Sequence, residues 1–106
     1  MDAALKAISQ PRRRQILRLV RDDELAAGDI AAHFDVTRPA VSQHLTVLKR
    51  AGLVSERRDG TRRLYRARPQ ALADLKRFLE GFWDDKLASL KQEAERKEKK
   101  RHESRN

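Results

Sequence analysis

Within a short stretch the chain sets Thr37, Arg38, Ser42, Gln43, His44, Thr46 and Lys49, and a little further on Arg57, Arg58, Arg62 and Arg63 flank an Asp59-Gly60 pair. Hydroxyls, a carboxamide, an imidazole and an arginine at near-helical spacing are groups that hydrogen-bond base edges, and arginines at a loop tip are groups that pair with phosphate. Covalent chemistry has no comparable set. The 106 residues contain no cysteine, no glycine-rich phosphate loop, no Gly-x-Ser-x-Gly elbow and no two histidines at helical spacing. Asp22, Asp23 and Glu24 form a carboxylate cluster with no histidine or lysine near them in sequence, which reads as solvated loop charge. The chain is expected to bind rather than catalyse, without a cofactor.

These groups need rigid elements to aim them. Ile30, Ala31 and Phe34 recur at one-turn spacing and predict a helix of about two turns ending near Asp35. Thr37 then restarts a helix, as an N-cap hydroxyl with Pro39 in the first turn. Val41, Leu45 and Leu48 give that helix a buried stripe and leave its polar residues outside, and Gly52 closes it. Such a pair of helices is either an ordinary hairpin of a small core or a head that reads the major groove. Two extended runs around Asp59-Gly60 predict a β-hairpin with a type I′ turn. That turn pairs Arg58 with Thr61, Arg57 with Arg62, Glu56 with Arg63 and Val54 with Tyr65. Arg57 opposite Arg62 is repulsive unless an anion such as phosphate shares the site; an arginine-rich edge that blocks sheet aggregation is the other reading.

Upstream, residues 2–8 read as a short helix with Leu5 and Ile8 as apolar contacts, and a second helix runs from Pro11 to about Arg21 with Ile16, Leu17 and Val20 inward. Its Arg12-Arg13-Arg14 run fits a solvated face, phosphate contact, or ion pairing with Asp22, Asp23 or Glu24. Downstream, Leu72, Leu75, Leu79, Phe82, Trp83, Leu87 and Leu90 recur every three or four residues as one long apolar seam. A helix of more than 20 residues spans more than about 30 Å, beyond what so small a domain needs, so the surplus is expected to pack against a second copy; a cover helix on the chain's own core is the alternative. After Leu90 the sequence is nearly all charge and is expected to fray. Residues 1–90 are thus read as one binding and dimerisation domain and 91–106 as a tail. The fold class is mainly α with a small β-hairpin, in the order α-α-α-α-β-β-α.

Lysine and arginine number 25 against 16 acidic residues, a net charge of +9, which points to a polyanionic partner. The surplus is local: residues 1–21 carry +5, residues 22–36 −5 and residues 37–68 +7. No apolar run approaches the roughly 20 residues of a membrane span, and Met-Asp-Ala-Ala-Leu-Lys lacks the hydrophobic region of a signal peptide. A cytoplasmic protein with no membrane partner is expected.

Helix, helix, helix-turn-helix, arginine-tipped hairpin and long terminal helix together look like the winged-helix fold. The run Arg38-Pro-Ala-Val-Ser-Gln-His-Leu-Thr-Val-Leu-Lys-Arg-Ala-Gly-Leu-Val54, followed by Arg57-Arg-Asp-Gly-Thr-Arg-Arg-Leu-Tyr65, resembles the ArsR (arsenical-resistance repressor) family of bacterial transcription factors, over about Leu5 to Trp83. The resemblance implies a homodimer binding an inverted repeat of double-stranded DNA, an operator, usually as a repressor. It would put Arg38, Ser42, Gln43 and His44 on bases, Thr37, Thr46 and Lys49 on the backbone and the four hairpin arginines on phosphates or the minor groove. Arsenic-sensing members carry Glu-Leu-Cys-Val-Cys-Asp where this chain has Glu24-Leu-Ala-Ala-Gly-Asp29, and the zinc-ligand places of others align with Pro69, Ala71, Phe82 and Asp85. Neither set makes a metal site, so no metal is expected, and the effector stays unknown. A winged-helix module that uses its 72–90 seam to bind a different protein is the alternative function.

Overall fold

The computed structural model describes the backbone of residues 1–103, with side chains except those of residues 83, 85, 86 and 98–103. The chain divides after Leu75 into two units. The first begins with α1 (Asp2–Ala7) and α2 (Pro11–Asp22), followed by β1 (Leu25–Ala26), α3 (Ala27–His33) and α4 (Arg38–Arg50). The hairpin strands β2 (Val54–Asp59) and β3 (Arg62–Ala67) come next, and α5 (Pro69–Glu103) starts in the first unit and makes up the second. The sequence order therefore gains one strand. Two residues carry too little periodicity to be seen from sequence, yet β1 pairs antiparallel with β3, Leu25 opposite Tyr65 and Ala26 opposite Leu64, so β3 is the centre of a three-stranded sheet.

Ile16 and Val20 of α2, Ile30 of α3, Val41, Leu45 and Leu48 of α4 and Leu53 after it are at most 1% exposed, the stripes that the helical spacing predicts. Thr37 caps α4, its Oγ1 accepting from Ala40 N–H at 3.3 Å. At the other end Gly52, at φ +77°, donates N–H to Lys49 O at 2.9 Å while Leu53 N–H reaches Leu48 O at 3.0 Å. This is a Schellman closure, and it turns the chain straight into the hairpin.

The hairpin register differs from the expected one. Asp59 pairs with Arg62, Arg58 with Arg63, Arg57 with Leu64, Glu56 with Tyr65 and Val54 with Ala67, so the two-residue loop is Gly60-Thr61 rather than Asp59-Gly60. A type I′ turn needs positive φ at both loop residues, and no non-glycine residue here has it; Gly60, at φ +65°, takes the first position alone, the type II′ pattern. Each residue keeps its face of the sheet while its cross-strand neighbour changes.

The Arg12-Arg13-Arg14 run is not a plain solvated face. Arg13 is 8% exposed, and its guanidinium donates to the carbonyls of Ala7 and Lys6, while Arg14 Nη1 donates to Ile8 O at 2.8 Å. A helix of 6 residues is far too short to persist alone; arginines of the next helix supply donors at its C-terminal end, where Ser9 N–H and Oγ also serve Lys6 O. Arg12 lies over the Phe34 ring, 4.7 Å from its centroid. None of the three pairs with Asp22, Asp23 or Glu24.

Leu75 is buried, Leu72 and Leu79 are half-buried, and Phe78, Phe82, Leu87 and Leu90 are exposed on α5. The side chains of Trp83 and His102 lie outside the described ones. The helix continues through the charged stretch rather than fraying at Leu90: residues 91–103 hold Ala, Glu, Gln, Lys, Arg and one His with no Gly or Pro, all but His102 being good helix formers, and Glu93 and Lys97 add an i,i+4 pair at 3.8 Å.

Candidate nucleic-acid interface

The apolar stripe of α4 faces the core, so the opposite side presents Arg38, Ser42, Gln43, Thr46, Val47, Lys49 and Arg50 to solvent. Beside it stands the hairpin. Between them opens a groove of about 970 Å³ lined by Arg38, Ser42, Thr46, Lys49 and Arg50 of α4, by Arg62, Arg63, Thr61, Glu56 and Tyr65 of the hairpin, and by Asp29 with the chain from Ala26 to Gly28. Of the residues expected to bind, the groove gathers Arg38, Ser42, Thr46, Lys49, Arg62 and Arg63. Thr37, Gln43, Arg57 and Arg58 are exposed outside it, and His44 is half-buried.

Hydrogen bonding limits what some of these groups can offer. Thr46 Oγ1 donates to Ser42 O at 2.9 Å, so its proton is engaged within α4. Thr37 Oγ1 only accepts in its cap, which leaves its proton to donate. Burial first, and then the positive charges of Arg13 and Arg12, hold the His44 imidazole below its ordinary 6.5, so at neutral pH it is an uncharged donor and acceptor.

The four hairpin arginines are not alike. Arg57 is forked onto Glu24, Nη2 at 2.6 Å and Nε at 2.8 and 3.0 Å. Arg62 Nη2 meets Asp29 Oδ2 at 2.7 Å. Arg63 lies 3.8 Å from Glu56, which Lys49 also reaches at 3.3 Å. Arg58 faces Arg63 across the ladder and has no ion-pair partner among the described residues. Repulsion between Arg57 and Arg62 therefore gives no reason to invoke a shared anion: the two are not opposite each other, and each has a carboxylate of the chain's own. The hydrogen bond from Arg57 lowers the Glu24 carboxyl. For Glu56 partial burial alone would raise the carboxyl, but hydrogen bonds from Lys49 and Tyr65 and the charges of Lys49 and Arg63 carry it below its usual value.

Sequence reasoning missed Arg50 and Tyr65 as groove residues and Glu24, Asp29 and Glu56 as counter-charges. The signal for two of these three was present, since residues 22–36 carry −5 directly ahead of a segment that carries +7. Among the described residues no three His, Asp or Glu side chains gather as a metal site would require, and no helix is long and apolar enough to cross a membrane.

A helix-turn-helix whose second helix is exposed along its polar side, with a basic two-stranded wing beside it, defines the winged helix-turn-helix class of DNA-binding proteins. The pattern described as "Bacterial regulatory protein, arsR family" matches residues 10–56. The chain belongs to this family of transcriptional regulators. It is 44% identical over 91 residues to the HTH-type transcriptional regulator Rv2034 of Mycobacterium tuberculosis, covering 86% of this chain and 85% of that one. It is 47% identical over 60 residues to the transcriptional repressor SdpR of Bacillus subtilis, covering 57% of this chain and 67% of that one. Among solved structures, the homodimeric winged helix-turn-helix DNA-binding domain Mb0332 of Mycobacterium bovis superposes with a TM-score of 0.66 at 34% identity, covering 79% of this chain and 78% of that one. These relatives mark a regulator rather than an enzyme, and they do not favour the protein-interaction alternative.

Proposed function

We propose that the chain is a homodimeric, sequence-specific repressor that binds an inverted repeat of double-stranded DNA, in the cytoplasm, with α4 in the major groove. The observation that carries this is the exposed polar side of α4 set beside the wing across one basic groove. Arg38, Ser42, Gln43 and His44 reach bases from the N-terminal half of α4, while Thr37, Thr46 and Lys49 hold the register on the backbone. Thr37 has its proton free for a phosphate; Thr46 and Lys49 must first give up Ser42 O and Glu56. On the wing, Arg58 and Arg63 supply the readiest cations, and Arg57 and Arg62 follow only on leaving their carboxylates.

Residues 1–90 form the binding and dimerisation domain, with 91–106 as a charged appendage. In the seam Leu72, Leu75, Leu79, Phe82, Trp83, Leu87 and Leu90, the first part is committed within the protomer, since Leu75 is buried already. Phe82, Leu87 and Leu90, joined by Phe78, are exposed, and a second copy covers this part of the seam. Pairing through them sets two α4 helices in successive major grooves about 34 Å apart. That one relative is a transcriptional repressor and another a homodimeric DNA-binding domain supports this reading.

The test is a titration of the purified protein against a fluorescent duplex of its own upstream region and a scrambled duplex at two salt concentrations, with light scattering on the same stock. A dimer that prefers its own upstream DNA by about 10³ or more supports the reading. Gln43→Ala should then cost about 1–3 kcal/mol per half-site at one base position, whereas Arg58→Ala should weaken both duplexes alike. A monomer that binds both duplexes equally, with affinity collapsing as salt rises, sinks the proposal.

A further inference from the structure

Two carboxylates ahead of α4 hold two wing arginines, and they do so in different ways. Glu24 grips Arg57 through three contacts of 2.6 to 3.0 Å, its side chain is 26% exposed, and neither residue lines the groove. Asp29 holds Arg62 through one oxygen at 2.7 Å, the two side chains are 50% and 58% exposed, and both line the groove with Arg38, Lys49 and Arg63. A forked pair resists exchange, whereas a single exposed contact is worth little and gives way to any competing oxyanion.

We propose that in the free protein Asp29 occupies on Arg62 the place that a DNA phosphate takes in the complex, while the Glu24–Arg57 fork stays closed and keeps the wing in position. Asp29 is then a positioning residue: it holds Arg62 over the groove before DNA arrives and sets how much affinity that arginine contributes. The inference rests on the DNA-binding reading. It requires an exchange, in which a phosphate oxygen replaces Asp29 Oδ2 on Arg62 Nη2 and the released carboxylate turns to solvent.

Removing the competitor should strengthen binding. Asp29→Asn, and Asp29→Ser as a second variant that lacks the charge, should bind operator and scrambled duplexes up to about fivefold more tightly, the worth of one exposed ion pair. The slope of log K against log salt should steepen by up to about 0.9 per protomer, because the phosphate on Arg62 is neutralised without freeing a carboxylate. Two controls separate exchange from the bare loss of a negative charge. Asp23→Asn removes the same charge at an exposed residue that neither lines the groove nor pairs with a wing arginine, and should leave the slope unchanged. In an Arg62→Ala background the gain from Asp29→Asn should vanish. A gain that persists undiminished without Arg62, an equal change of slope in Asp23→Asn, or no gain at all overturns the exchange while DNA binding stands. If the wild-type chain binds neither duplex, the functional reading falls and the exchange falls with it.

Discussion

Replacing Gly52 by alanine tests the closure of α4 where the chain turns into the wing. Gly52 sits at φ +77°, the left-handed region, which costs a residue bearing a Cβ about 1–2 kcal/mol. The added Cβ would lie 3.5 Å from Arg68 Nη1, an ordinary contact, so no clash adds to that cost. Alanine also stiffens the unfolded chain relative to glycine, which offsets about 0.4–1 kcal/mol. A net loss of roughly 1 kcal/mol remains, or about 4–8 °C in Tm for a domain of this size. Urea titration followed by circular dichroism, at one fixed protein concentration because dimerisation would add stability, should show a lower midpoint with an unchanged slope. Gly52→Asn should cost less, since asparagine tolerates this region better. A neutral Gly52→Ala, or a Gly52→Asn that costs more than the alanine, would refute the conformational argument.

Two further outcomes follow from other parts of the molecule. Arg13→Met keeps the aliphatic stem but takes the charged donor from the Ala7 carbonyl, while Lys6 O keeps Ser9 N–H and Oγ, so urea unfolding should show a loss of about 1.5–3 kcal/mol, as for a hydrogen bond from a charged group; a change below about 0.5 kcal/mol, within the range of ordinary surface substitutions, would mean that α1 is held by packing alone. His44 has a lowered folded-state value, so the unfolded chain takes up its proton first, and stability falls as pH drops through 6.5 and levels off below the folded value. His44→Gln should remove that component, and Tm scans between about pH 7.5 and 5 should then show a flatter profile than wild type; parallel profiles would refute it.

What the sequence made legible was whatever repeats with the period of an element. The stripes Ile16, Leu17, Val20 and Val41, Leu45, Leu48 are buried as their spacing requires, and the cap at Thr37 and the closure at Gly52 stand where residue chemistry puts them. Illegible were features decided by partners distant in sequence. Leu25-Ala26 becomes a strand because β3 offers it an edge, not because two residues carry a pattern. Asp59-Gly60 signals a hairpin, but a slip of one loop position satisfies the same glycine and changes every pair. The arginines were the hardest to place: Arg13 caps a neighbouring helix, Arg57 and Arg62 serve carboxylates 33 positions away, and a guanidinium suits a carbonyl, a carboxylate or a phosphate equally well. Of the groove, the polar side of α4 was readable; the counter-charges that occupy its cations were visible only as a block of negative charge.

The pairing of β1 with β3 has a kinetic side. Ala26 opposite Leu64 closes a loop in which α3, α4 and β2 are the intervening chain. The reading helices are therefore fastened at both ends by one small ladder, and neither end is a free terminus from which they could unravel. Opening α3 or α4 means parting that ladder or turning out Ile30, Val41, Leu45 and Leu48 from the centre of the unit. Their amides should accordingly exchange with solvent at the rate of whole-unit unfolding rather than by local fraying, so the surface offered to DNA is as long-lived as the fold itself.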